Sequence, residues 1–125
     1  MNLTLKHAAA TILLMLSLAA PLGAGPLEDG YFAYTRGDFE TAMRIMRPLA
    51  EQGHATAQTV VGLMHYFNYR DYVSAHMWFS LAAAQGHASA EMFLRDTADK
   101  MTPDQIAEAQ KLAREWKPDT QSHSR

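Results

Sequence analysis

The chain has 125 residues, no cysteine and a formal net charge of −2, with 48% hydrophobic and 19% charged residues. Without cysteine there is no disulfide, no zinc–thiolate site and no nucleophilic thiol; without a long run of one sign there is none of the basic stripe that marks a nucleic-acid partner, so none is expected. The length suits one domain with a modest core, and plentiful Ala and Met with few β-branched residues favour helix.

Residues 1–24 carry the pattern of a secretory signal peptide. Lys6 and His7 precede an apolar run, Ala8 to Ala20, broken only by Thr11 and Ser17; Pro21 and Gly23 follow, then the small Ala24 before Gly25. The run falls short of the roughly 20 apolar residues that a spanning helix needs. Cleavage is therefore expected, with a retained leader acting as a membrane tether as the alternative. No cysteine follows the run, which excludes a lipoprotein anchor. The expected product is exported, and periplasmic if the source is a Gram-negative bacterium. Taking Lys6 from the 11 basic residues leaves 10 against 13 acidic ones, a charge of −3.

Pro26 to Arg36 predicts a short helix bearing Leu27, Tyr31, Phe32 and Tyr34. Gly37 can take the left-handed conformation that ends a helix, and Asp38 can cap the next. Phe39, Ala42, Ile45, Met46, Leu49 and Ala50 then form one apolar stripe at helical period. Pro48 lies inside that helix and predicts a kink near Arg44 to Pro48 or an irregular last turn. Gln52-Gly53 closes it. Ala57, Val60, Val61, Met64 and Phe67 or Asn68 mark the following helix. Gly62 sits in its middle, a costly choice that a close helix–helix approach would explain. Asn68-Tyr69-Arg70 reads as a link, Asp71 as a cap, and Tyr72, Ala75, Trp78, Phe79, Ala82 and Ala83 as the next stripe, closed by Gln85-Gly86. Ala90, Phe93, Leu94 and Ala98 begin a third pair. Thr102-Pro103-Asp104-Gln105 has the form of a capping box with proline at the first helical position. Ile106, Ala109, Leu112, Ala113 and Trp116 make the last stripe; Lys111, Arg114 and Lys117 suit its negative end, and Pro118 stops it.

Two stretches of this series are copies. Gly37 to Ala57 and Arg70 to Ala90 align without a gap at an offset of 33, with eight of 21 positions identical. Ankyrin repeats share that period, but their T-P-L-H turn is absent. The second copy supplies Ala57, Val61 and Gly62, then Asp71, Ala75, Trp78, Ala82, Ala83, Gln85, Gly86 and Ala90. The first supplies Asp38, Ala42, Ala50, Gln52, Gly53 and Ala57, with Ile45 in place of the tryptophan. These residues resemble the Sel-one-like repeat family, relatives of tetratricopeptide repeats, whose unit runs A-x-x-x-L-G-x-x-Y, a loop, then D-x-x-x-A-x-x-W-x-x-x-A-A-x-Q-G-x-x-x-A. The chain departs from that unit in a shortened loop near Tyr69-Arg70, in His65 at the tyrosine position and in Arg95 at the packing glycine of the third unit.

The resemblance implies an all-α fold: a right-handed α-α superhelix of about three helix pairs, with units near 26–53, 54–86 and 87–117, the last helix a cap. Residues 118–125 are expected to be a disordered tail. It also implies a non-enzymatic interaction, adaptor or regulatory module at the cell envelope, with a protein or peptide partner. The alternative is a cell-envelope hydrolase.

The residue types that carry chemistry give that alternative little support. His54 and His87 fall at the same repeat position and read as turn residues at helix starts. His65 and His76 sit on neighbouring helices, but no H-x-x-x-H or H-E-x-x-H spacing supports a zinc site. Ser74, Ser80 and Ser89 lack a nucleophile elbow, and Asp71 is explained as a cap. No catalytic residue, metal or cofactor is expected. The aromatics Tyr31, Tyr34, Tyr66, Phe67, Tyr69 and Tyr72 gather around the first helices of the first two pairs, as core or as a groove. Tyr and Arg there suit a peptide partner, which makes His65, Tyr66, Tyr69 and Arg70 the candidate contact residues.

Overall fold

The computed structural model describes residues 25–120. The expected leader, 1–24, and residues 121–125 of the expected tail lie outside the described residues. Every regular element among the described residues is helical: α1 (Pro26–Thr35), α2 (Phe39–Glu51), α3 (Ala55–Met64), a π-helical turn (His65–Tyr69), α4 (Tyr72–Ala84), α5 (Ala88–Ala98) and α6 (Pro103–Glu115).

Local chemistry sets the helix ends. Asp38 accepts a hydrogen bond from the Thr41 amide at 3.2 Å, and Asp71 accepts from the Ser74 amide at 3.1 Å and from the Ser74 hydroxyl at 2.6 Å. Thr102 and Gln105 exchange two bonds, 2.9 and 3.2 Å, in the expected capping box. Gly37, Gly53 and Gly86 all have positive φ, at 84°, 98° and 86°. Each lets the next amide reach back five residues: Asp38 to the Ala33 carbonyl, His54 to Leu49 and His87 to Ala82, at 2.9, 3.1 and 3.2 Å. Pro48 does not break α2. Both Pro48 and Arg44 are exposed, so water can replace the donor that the Arg44 carbonyl loses.

Successive helices pack on one another from α1 to α5. Small residues make the contacts close: Ala42, Ala50, Ala57, Ala75, Ala82 and Ala90 are fully buried. The expected close approach at Gly62 is present, since a β-carbon there would lie 2.6 Å from the Phe79 ring. Gly30 plays the same part in the first hairpin, where a β-carbon would lie 2.9 Å from Met46 Cγ. A polar rung joins the two copies. Gln58, fully buried, donates to the Ala50 carbonyl at 3.2 Å. Gln85 donates to Gln58 Oε1 at 2.9 Å and to the Gly53 carbonyl at 3.0 Å. The glutamine of the repeated Gln-Gly turn thus ties one turn to the other.

The last helix differs from expectation. Its main neighbour is α4, not α5, so α5 and α6 do not form a third hairpin like the first two. An apolar stripe states that a helix has a partner but not which one. Trp116 meets Trp78 edge to face at 6.5 Å and reaches the Gly53 turn. The chain then turns back on the first copy, where the Asp119 amide donates to the Glu51 carbonyl at 2.7 Å.

Candidate interaction groove

The first two hairpins differ by one residue. Gly30 and Gly62 occupy equivalent positions, because Met46 and Phe79, which they meet, are equivalent in the repeat. Eight positions separate Gly30 from the cap Asp38, whereas nine separate Gly62 from Asp71. The extra residue is taken up as the π-helical turn His65–Tyr69, the usual fate of a single insertion in a helix. The Asp71 amide now bonds the His65 carbonyl at 2.9 Å, one residue further back than its counterpart Asp38 reaches. Arg70 takes the left-handed conformation, φ 52° and ψ 33°, at the repeat position of Gly37.

This turn separates the four candidate contact residues. Tyr69 and Arg70 are exposed. Tyr66 is not available as a free ring: only 8% is exposed, and it packs edge to face on Phe67, Tyr72 and Phe93. Its hydroxyl donates to Asp96. That bond, aided by burial and by the Asp96 charge, pushes the hydroxyl pKa up to about 12. His65 is largely buried, with Nδ1 3.6 Å from Asp71 Oδ2 and no hydrogen-bond partner. Burial holds its pKa below 6.5, the Asp71 carboxylate opposes this, and Arg47 adds to it. Asp71 is pushed up by burial, but the Ser74 hydroxyl and amide, with His65, bring it below the usual carboxylate range.

The other histidines do not converge. His54 and His87 precede α3 and α5 at their N-caps without making a side-chain cap. His76 is buried, its pKa lowered by burial, with Nδ1 3.4 Å from Ser80 Oγ. No group of three potential metal ligands occurs among the described residues, and no described helix is long and apolar enough to cross a membrane.

The first helix of each hairpin and α5 leave a series of hollows between them. One, about 520 Å³, is lined by Leu27, Tyr31, Phe32 and Thr35 of α1 and Thr56 of α3. The next, about 300 Å³, shares Tyr31 and Thr56 and continues along Thr59, Leu63 and Phe93. The Phe93 ring lies 6.2 Å from Phe67. Phe67 in turn borders a third hollow of about 260 Å³ with Tyr66, Arg70, Tyr72 and Lys100. The aromatics along this path are exposed, Tyr31 by 53%, Phe32 by 62% and Phe67 by 55%. Sequence reasoning placed Tyr31 and Phe67 in the aromatic cluster but missed Thr56, Thr59, Leu63, Phe93 and Lys100. The available signal was a second stripe on α3, Thr56, Thr59 and Leu63, on the face away from Ala57, Val61 and Met64. Family models, curated proteins and solved structures give no match to this chain.

Proposed function

We propose that the protein is a non-enzymatic interaction module that receives an extended segment of a protein or peptide partner along the groove lined by α1, α3 and α5. The observation that carries this reading is the exposed aromatics Tyr31, Phe32 and Phe67 beside two hollows that share Tyr31 and Thr56 and a third next to Phe67. Exposed apolar surface rimmed by polar groups favours a partner over solvent, and aromatic anchors supply most of the energy at such surfaces. In this reading the hairpins are a short right-handed α-α superhelix of the Sel-one-like type, with α6 as its cap. The repeated Asp, Ala, Gln-Gly and Gly62–Phe79 features support that assignment. The apolar run before Gly25 supports export, with action at the cell envelope as an adaptor or regulator.

The test is in-cell crosslinking followed by envelope fractionation and capture, comparing the native chain with a Tyr31→Ala/Phe32→Ala variant. A specific partner lost from the variant, with the helical circular dichroism retained, is the expected result. Equal recovery by both chains would sink the groove assignment.

A further inference from the structure

The groove is chemically lopsided. At the α1 end its wall is almost wholly apolar. At the π-turn end Arg70 and Lys100 stand among three aromatic rings. Neither cation belongs to an ion pair among the described residues, and Lys100 lies over the Tyr66 ring, 5.9 Å from its centre. Two of the nearby carboxylates are held in other contacts, Asp71 capping α4 through Ser74 and Asp96 accepting from the Tyr66 hydroxyl; a third, Asp99, precedes Lys100 in the chain.

The backbone points to the same place independently. Arg70 occupies a left-handed position that favours glycine, and its counterpart in the first hairpin is Gly37. A non-glycine residue there costs about 1–2 kcal/mol. Strain of this kind, next to a π-turn, gathers where a side chain has work to do. Here it holds an unpaired guanidinium at the rim of a hollow.

The geometry points to a partner segment that sets an Asp or Glu carboxylate between Arg70 and Lys100 and a bulky apolar side chain against Tyr31 and Phe32. A carboxylate matches the planar guanidinium fork and adds a second cation at Lys100. The Phe67 and Tyr72 rings flank the pair at the surface. Tyr66, buried and bonded to Asp96, serves as the floor and not as a contact donor. The inference rests on the groove's being the docking surface and assigns its polarity.

A random dodecapeptide library displayed on phage and panned on the full chain tests it, with enriched peptides resynthesised and measured by fluorescence anisotropy. The enriched peptides are expected to carry an acidic residue separated from an aromatic or aliphatic one. Arg70→Gly and Lys100→Gln should each weaken binding about tenfold or more, as loss of a charged hydrogen bond does. Changing the peptide's acid to its amide should cost at least as much as either variant on the native chain, less on Arg70→Gly, and nothing further on the Arg70→Gly/Lys100→Gln double variant. Arg70→Gly relieves the backbone, so its melting temperature should not fall, and lost binding cannot be laid to lost fold. Peptides without an acid that depend on Tyr31 but not on Arg70 or Lys100 would overturn the acidic anchor and leave the groove reading standing. No enriched peptide sensitive to Tyr31→Ala, Arg70→Gly or Lys100→Gln would overturn both.

Discussion

The first hairpin reaches its second helix in eight residues from Gly30, and the second needs nine from Gly62. Both use the same glycine approach and the same aspartate cap. The one added residue changes everything between those fixed points. It turns regular helix into a π-turn, beside which Tyr66 is buried and an arginine holds the left-handed position that Gly37 holds in the first hairpin. A repeat can therefore keep its packing and diverge in one link, and the divergence lies at an end of the groove.

The largest expected break in this comparison is at its bulkiest difference, Ile45 against Trp78. Trp78 is buried and carries the contact with Trp116, so Trp78→Ala should cost about 3–5 kcal/mol in denaturant unfolding. An unchanged midpoint would rule out this core. Next come the two glycines of close approach. Gly62→Ala puts a β-carbon into the Phe79 ring, which has nowhere to go, and should cost about 1–3 kcal/mol. Gly30→Ala meets Met46 Cγ at 2.9 Å and the β-branched Ile45 at 3.1 Å, a looser approach than the 2.6 Å at Phe79; helix propensity offsets part of the crowding, so the loss should be smaller, about 1 kcal/mol. Equal losses at both sites would erase the distinction. The link itself is tested by exchange: Gly37→Arg should destabilise by about 1 kcal/mol and Arg70→Gly should stabilise by a similar amount.

The smallest expected effect depends on pH. The second hairpin buries His65 and His76, whereas Met43 stands at the repeat position of His76. Burial lowers both histidine pKa values from 6.5, so the unfolded chain binds more protons in the window just below that value. Their contribution is complete above pH 6.5 and is lost as pH falls through the folded values. The melting temperature should drop on acidification from neutrality, and His76→Met should flatten part of that slope. A second loss belongs below the ordinary aspartate value of 3.8, where the caps Asp38 and Asp71 protonate. A flat profile between neutrality and pH 5 would contradict the buried neutral histidines.

Most of the fold's punctuation was legible because it depends on a few adjacent atoms. A short acceptor at Asp38, Asp71 or Thr102, and a residue without a side chain at Gly37, Gly53 or Gly86, act within one turn of themselves. Gly62 was legible because its cost in a helix demanded a neighbour. The π-turn was not, since the ungapped alignment begins at Gly37 and Arg70, just beyond the added residue. Nor was the choice of α4 by α6, since a stripe at helical period fits any complementary surface. Of the candidate residues, Tyr66 could be core or groove until Asp96 and Phe93, distant in sequence, are brought to it and bury it. Replacing Tyr66 by alanine therefore tests packing as much as recognition, and Arg70 is the cleaner probe. The remaining wall escaped notice because Thr56 and Thr59 mix small size with polarity and leave no hydrophobic period.

A row of hairpins that touch only their neighbours can fray from either end and refold in pieces. The return of the chain at Asp119 to Glu51, with Trp116 laid against Trp78 and Gly53, removes that freedom. It couples the last residues described to the middle of the chain, so the C-terminal end cannot loosen without the centre. Such a closure raises the share of non-local contacts and slows folding relative to a simple row of hairpins. It should also merge unfolding into one sharp transition.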